Sequence, residues 1–236
     1  VIHGGNPKPA KIDTYGDHRM AMSFAVAGAK LSGMEINDPD VVNKTFPNFW
    51  KKLNSIGIKT EITNSKNIVL IGMRGSGKTT VAKLLAKKLH KDYLELDDIL
   101  VAKTGMTIPE IVEKHGWDYF RDKESEIAQE VSSYRDKIIS TGGGTVTRPQ
   151  NIKALKKNGI IILLRASVKT LSDRIGDDPN RPSLTNKETK REEMEELLKQ
   201  RKKLYEEAAD EIIDTDKLKP EEVVSQILLK VKGESI

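Results

Sequence analysis

From residue 67 onward the chain alternates between short apolar runs and longer stretches with an apolar residue every three or four positions. Ile68-Val69-Leu70-Ile71 is apolar throughout, which predicts a strand buried on both faces. Val81, Leu84, Leu85 and Leu89 then recur at helical spacing. Further strands are predicted at 93–96, 137–140, 159–164 and 211–214, with helical stretches between them. Nearly all-apolar strands alternating with helices predict an α/β fold, a five-stranded parallel sheet with helices on both faces. Ligands of such a sheet gather at the carboxyl ends of its strands.

Residues 1–62 follow another pattern. Asp17 is placed to cap a helix whose apolar side carries Met20, Phe24, Ala27 and Leu31. Met34-Glu35-Ile36 reads as a strand ending at the turn Asn37-Asp38-Pro39. Pro47 suits the first position of a helix running through Trp50 and Leu53 to Gly57. Residues 58–62 alternate like a strand. The polar stretch 63–66 is read as a linker, so a small α+β piece over 1–62 precedes a larger domain over 67–236. The first piece is too short to bury a sizeable core alone.

Composition narrows the function classes. The 236 residues include no cysteine, which excludes disulfides, thiol nucleophiles and cysteine metal sites and fits a reducing cytoplasm. The longest apolar run, 160–164, is far too short to span a bilayer, so no membrane partner is expected. The start has neither an apolar signal core nor an initiating Met, which predicts a soluble chain cut from something longer. The formal charge is +5, but Lys and Arg are interspersed with acids and no basic stripe interleaves with aromatics. That pattern points to a small anionic substrate rather than to nucleic acid.

The chemistry concentrates in the larger domain. Gly72-Met73-Arg74-Gly75-Ser76-Gly77-Lys78-Thr79 fits the phosphate-loop pattern G-x-x-x-x-G-K-[ST] between a predicted strand and a predicted helix. Glycines let backbone N–H groups close around phosphate oxygens, and the helix N-terminus adds attraction. Lys78 reaches the outer phosphates and Thr79 offers its hydroxyl to Mg²⁺. Glu95 and Asp97 end the second strand, one for the Mg²⁺ shell and one for an acceptor hydroxyl; Asp98 is read as the cap of the next helix. Gly142-Gly143-Gly144 follows the third strand and lets a ligand lie against bare backbone. No acid follows that strand, which favours Glu95 as the Mg²⁺ acid. Arg121, near the start of a helix with Glu124 and Ile127, suits a carboxylate. Arg174 and Arg181 flank the polar segment 176–180, read as a mobile lid from which Arg181 swings over the phosphates. The mixed-charge stretch 187–203 reads as a solvated helix face.

Taken in order, the phosphate loop, Leu94-Glu95-Leu96-Asp97, Phe120-Arg121, the triple glycine, Arg181-Pro182 and Arg201 through Tyr205 resemble the shikimate kinase family over nearly all of residues 67–232. The resemblance implies a P-loop kinase fold and transfer of phosphoryl from ATP, with Mg²⁺, to the 3-hydroxyl of shikimate. It implies an ATP site at Gly72, Gly75, Ser76, Gly77, Lys78, Thr79 and Thr80 with Arg174 and Arg181, and Mg²⁺ at Thr79 and Glu95. Shikimate would meet Asp97, Arg121, Glu124, Gly142, Gly143, Gly144 and Arg201. Asp97, Lys78 and Arg181 would carry the catalysis. The family usually has Asp where this chain has Glu95, and more aliphatic residues where it has Ser183 and Leu184.

Residues 13–22 and 43–47 resemble the C-terminal end of the enolpyruvyl-shikimate-phosphate (EPSP) synthases. That likeness implies that Arg19 and Lys44 are remnants of a phosphoenolpyruvate site, inactive here, and that the chain is the tail of a fused two-enzyme polypeptide. The remainder of such a synthase domain is then a further expected partner. Two other functions fit the phosphate loop: a kinase for gluconate or a nucleoside monophosphate, and a nucleotide-dependent switch module. A switch needs no substrate pocket, which the acid, arginine and triple-glycine series disfavours.

Overall fold

A computed structural model describes residues 5–61, 65–175 and 189–231. The chain forms two compact units, one spanning Val1–Asn64 and Ser133–Arg135, the other Ser65–Ser132 and Asp136–Ile236. No helix among the described residues is long and apolar enough to cross a membrane.

In the smaller unit, β1 (Lys11–Ile12) pairs in parallel with β2 (Glu35–Ile36), and α1 (His18–Gly28) lies between them in sequence. Asp17 caps α1 as expected, its carboxylate accepting from the Arg19 N–H at 2.8 Å. The face that α1 buries is not the expected one. Ala21 and Ala25, with Met22 beside them, enter a core with Val41, Val42, Phe49 and Leu53, while Ala27 is exposed and Leu31 lies past the helix end. Small alanines let α1 approach the 3₁₀ turn Pro39–Lys44 closely, and that contact outweighs the larger side chains. The next helix, α2 (Phe49–Ser55), begins two residues after Pro47, which sits in the preceding turn. Residues 58–61 are not a strand. Their backbone folds onto the end of α2 instead: the Ile58 N–H donates to Leu53 O at 3.1 Å, and the Thr60 N–H donates to Asn54 Oδ1 at 2.8 Å. The Ile58 and Thr60 donors are thereby taken from any ladder. Ile62, the last residue of that expected strand, lies outside the described residues.

The larger unit is the expected parallel sheet. Its elements are β3 (Asn67–Ile71), α3 (Lys78–Leu89), β4 (Asp92–Glu95), α4 (Leu96–Thr104), α5 (Ile108–Val131), β5 (Lys137–Ser140), α6 (Pro149–Lys157), β6 (Gly159–Arg165), α7 (Val168–Ile175), α8 (Lys190–Ala208), β7 (Glu211–Asp214) and α9 (Pro220–Lys230). The strand order is β4-β5-β3-β6-β7, parallel throughout. Alternate residues of a strand face opposite sides. Ile68, Leu70, Ile138, Ile160, Ile162 and Leu164 pack against Val81, Ala82 and Leu85 of α3 and Val223, Val224 and Ile227 of α9. The residues between them, Val69, Ile71, Ile139, Ile161 and Leu163, are buried as well, and α6 and α8 pack against β6. Both faces are therefore covered, which is why these strands read as continuous apolar runs.

Register sets the level of the strand ends. Glu95 pairs with Ser140, Ser140 with Leu70, Leu70 with Ile162, and Ile162 with Glu211. The residues that follow β3, β4 and β5 thus emerge along one edge of the sheet. The second strand ends one residue earlier than expected, because Leu96 already opens α4. Glu95 is the N-cap residue, so Asp98 is not; Asp97 and Asp98 both sit in the first turn, where the helix dipole favours carboxylates.

Candidate active site

The loop after β3 turns through backbone that only glycine adopts without strain. Gly72 has φ 145°, and a Cβ there would stand 2.5 Å from Leu164 O. The loop leads into α3, whose first residue, Lys78, is buried. Its ammonium donates to Gly72 O at 2.9 Å and Met73 O at 3.0 Å, folding the side chain back over the loop. The Ser76 hydroxyl is buried and finds no hydrogen-bond partner among the described residues. A glycine turn with a cation above it and an orphaned hydroxyl inside it is suited to phosphate oxygens. A Cβ on Gly75 would meet Leu171 O at 2.8 Å, so α7 lies against this loop. Arg174, in the last turn of α7, donates to Thr215 Oγ1 at 3.0 Å and to Thr215 O at 2.7 Å, just past the end of β7.

Beside the loop, β4 presents Glu95. Its Oε2 accepts from the Thr79 hydroxyl at 2.9 Å and from the Tyr93 hydroxyl at 2.6 Å. Burial first, and then the hydrogen bond to Glu95, raise the Tyr93 hydroxyl above the usual phenol range, so it remains a donor. Thr80 is exposed next to Thr79.

The triple glycine after β5 is crowded by functional side chains. A Cβ on Gly142 would stand 2.7 Å from Glu124 Oε1 and 2.9 Å from Asp97 Oδ1. On Gly144 it would stand 2.1 Å from Arg121 Nη2, and on Gly143 3.3 Å from Arg74 N of the phosphate loop. Asp97, Arg121, Glu124 and the phosphate loop therefore converge on Gly142–Gly144. The carboxylate of Glu124 is only 1% exposed and so must be paired. Arg121 Nη1 donates to Glu124 Oε2 at 2.6 Å, and the Thr145 hydroxyl donates to Oε1 at 2.7 Å. The Phe120 ring lies 5.0 Å from the same guanidinium.

α8 closes the group from the other side. Part of the stretch expected to be a solvated helix face, 187–203, is buried instead: Glu193 and Met194, then Leu197 and Arg201 at successive turns, a stripe that Tyr205 continues. Arg201 Nη1 donates to Gly143 O at 3.2 Å, and the Tyr205 hydroxyl donates to the same oxygen. Burial lowers the Arg201 pKa most; Tyr205 raises it, and the Arg121 charge lowers it. Among the described residues, Glu124 pairs with Arg121 and not with Arg201. The two cations make a setting for an added carboxylate. Burial pushes the Tyr205 hydroxyl up to about 12, so it too stays protonated. Arg74 is tied to α8 through Glu193 Oε1 at 2.5 Å.

The structure thus brings Lys78, Thr79, Glu95, Asp97, Arg121, Glu124, the triple glycine and Arg201 to one sheet edge. Arg181, Pro182, Ser183, Leu184 and the segment 176–180 lie outside the described residues. In the smaller unit Arg19 is exposed, and Lys44 Nζ donates to Gly16 O at 2.8 Å. Sequence reasoning missed Tyr93, Thr145 and the Arg74–Glu193 tie. Tyr93 was accessible in principle, because residues two apart on a strand share a face. Thr145 and Glu193 meet their partners only through the fold.

These features define the class: an α/β enzyme with a phosphate loop after the central strand of a parallel sheet. Residues 74–232 match the family model for shikimate kinase. A shikimate kinase of Thermodesulfovibrio yellowstonii is 47% identical over 163 residues, covering 69% of this chain and 93% of that protein. Among solved structures, a shikimate kinase of Acinetobacter baumannii in complex with shikimate aligns with TM-score 0.69 and 36% identity, over 73% of this chain and 97% of that one. The chain belongs to the shikimate kinase family and is a P-loop phosphotransferase. Residues 1–53 match the model for EPSP synthase (3-phosphoshikimate 1-carboxyvinyltransferase). A pentafunctional AROM polypeptide of Lodderomyces elongisporus aligns across both regions, 34% identical over 235 residues, covering 89% of this chain and 15% of that protein.

Proposed function

We propose that residues 67–236 transfer the γ-phosphoryl group of ATP to the 3-hydroxyl of shikimate. The observation that carries this reading is the convergence of Asp97, Arg121, Glu124 and the phosphate loop on Gly142–Gly144. Arg121 and Arg201 hold the shikimate carboxylate, and Glu124 keeps Arg121 aimed. The sugar-acid ring lies along the glycines. Asp97 then faces the 3-hydroxyl, orienting it and accepting its proton as the oxygen attacks phosphorus. Lys78 leaves the loop carbonyls for the outer phosphates, and Arg174 and Arg181 belong to the nucleotide side. Catalysis is mostly positioning and charge stabilisation, since phosphoryl transfer leaves the protein little covalent work.

Mg²⁺ fits the residues present. A Thr79 hydroxyl that donates its hydrogen bond to Glu95 keeps its lone pairs for a cation, and both groups offer hard oxygen ligands. No cluster of three or more acids and histidines able to hold a metal occurs among the described residues, which suits a cation that keeps several waters and shares substrate phosphates. When bound, Mg²⁺ neutralises charge on the β- and γ-oxygens.

The domain assignment belongs to the same reading: 1–62 an EPSP synthase-like fragment, 63–66 a linker, 67–236 the kinase domain. Arg19 and Lys44 are assigned as remnants of a phosphoenolpyruvate site. A cytoplasmic location is supported by the absence of cysteine.

Asp97→Asn tests the site. It should cut turnover by roughly 10²-fold or more, the scale of a lost general base, while equilibrium ATP affinity stays unchanged. Full turnover in that variant refutes the assignment.

A further inference from the structure

Among the described residues, Glu95 is held on one oxygen. Oε2 takes both the Thr79 and the Tyr93 hydroxyls, at 2.9 Å and 2.6 Å, and Oε1 takes no donor among the described residues. Tyr93 is placed for this by its strand. It stands two residues before Glu95 on β4, so both side chains project from the same face. Its ring packs against the core beneath α3, and the Lys83 ammonium stands 5.7 Å from the ring centroid. The ring is thus anchored in the core, and the hydroxyl is the part that reaches the site.

A glutamate has one more rotatable bond than an aspartate, and without a tether its carboxylate spreads over several positions. We propose that Tyr93 is a positioning residue for the divalent cation: it clamps Glu95 Oε2, so that Oε1 is presented beside Thr79 to the hydration shell of the cation that accompanies the nucleotide. The proposal rests on the assignment of Glu95 and Thr79 to that cation. Groups that orient a metal's ligands rather than touch it commonly change its affinity about 10–100-fold when removed. A phenol that merely filled space would leave cation affinity alone.

The test is Mn²⁺ binding to the full chain in the presence of ADP, read from the electron paramagnetic resonance signal of free Mn²⁺. Tyr93→Phe should weaken Mn²⁺ about tenfold, with metal-free ADP affinity unchanged. In a Glu95→Asp background the carboxylate draws back by about 1.5 Å, one carbon–carbon bond, beyond reach of the phenol. There Tyr93→Phe should change Mn²⁺ affinity by less than about twofold. Equal losses in both backgrounds would overturn the clamp, because a general structural effect does not depend on residue 95. No loss with Glu95 in place would overturn it too, provided Glu95→Ala does weaken Mn²⁺. If Glu95→Ala leaves Mn²⁺ affinity untouched, the assignment of Glu95 to the cation fails and takes the clamp with it.

Discussion

Gly144 exists at the expense of a side chain, because Arg121 occupies the space. A methyl group there would lie 2.1 Å from Arg121 Nη2 and 2.2 Å from its Cζ. The obstructing atoms end a long side chain, so the fold can yield, but Arg121 must leave its bond to Glu124 to do so. Gly144→Ala should therefore disturb both the substrate site and, through Glu124, the fold. Loss of one charged hydrogen bond is worth about 1.5–3 kcal/mol, so the KM for shikimate should rise roughly 10–100-fold. The KM for ATP should change little, while the melting temperature falls, because Glu124 is left buried without its cation. Steady-state kinetics at varied shikimate decide it, and an unchanged KM would show that Arg121 does not meet the carboxylate. The residue types at this site were legible in the chain, since a phosphate loop, two acids and a triple glycine each have a chemical signature. Their convergence was not. Asp97, Arg121 and Gly144 are far apart in sequence and meet only because the strand register levels the ends of β4 and β5.

Among the elements, α5 does the aiming. It is two helical segments joined at Gly116, whose φ of 81° and ψ of 171° lie in a region open essentially to glycine alone. A capping box between Thr107 and Glu110 starts the first segment. The second carries Arg121 and Glu124 to the triple glycine. A Cβ on Gly116 would meet nothing within 4 Å, so any cost of Gly116→Ala is conformational rather than steric. Holding that backbone with alanine should cost about 1–3 kcal/mol, lowering the melting temperature by roughly 2–10 °C. If the helix instead straightens to escape the strain, Arg121 is re-aimed and the KM for shikimate rises while that for ATP does not. Thermal denaturation with kinetics on both substrates checks this; a variant indistinguishable in both would contradict the role of the kink. The kink was hidden in the sequence because a glycine within a helical pattern is ordinarily tolerated. The alternation over 58–62 misled for a different reason: a period of two marks a strand only when a neighbouring strand exists to pair with it, and the end of α2 took those donors instead. The central runs of the larger unit were readable because both faces of the sheet are covered there, while the edge runs 92–95 and 211–214 are only partly buried and carry charged residues at their ends.

At the scale of the molecule, two cores share one chain. The smaller is built from Ala21, Ala25, Val41, Val42, Phe49 and Leu53, and the larger runs from the sheet into α3 and α9. Matches to two families stand in tandem along them. The larger unit contains both the phosphate loop and the pocket of acid and arginines, so the phosphotransferase chemistry is assigned to it alone. The most direct measurement is ADP release from ATP by the whole chain, followed with a panel of acceptors: shikimate, gluconate, nucleoside monophosphates and none. Shikimate-dependent release, with the other acceptors at the level of the blank, is the predicted result. Release that follows another acceptor while shikimate stays silent, or ATP binding with no phosphorylated product from any acceptor, would contradict it.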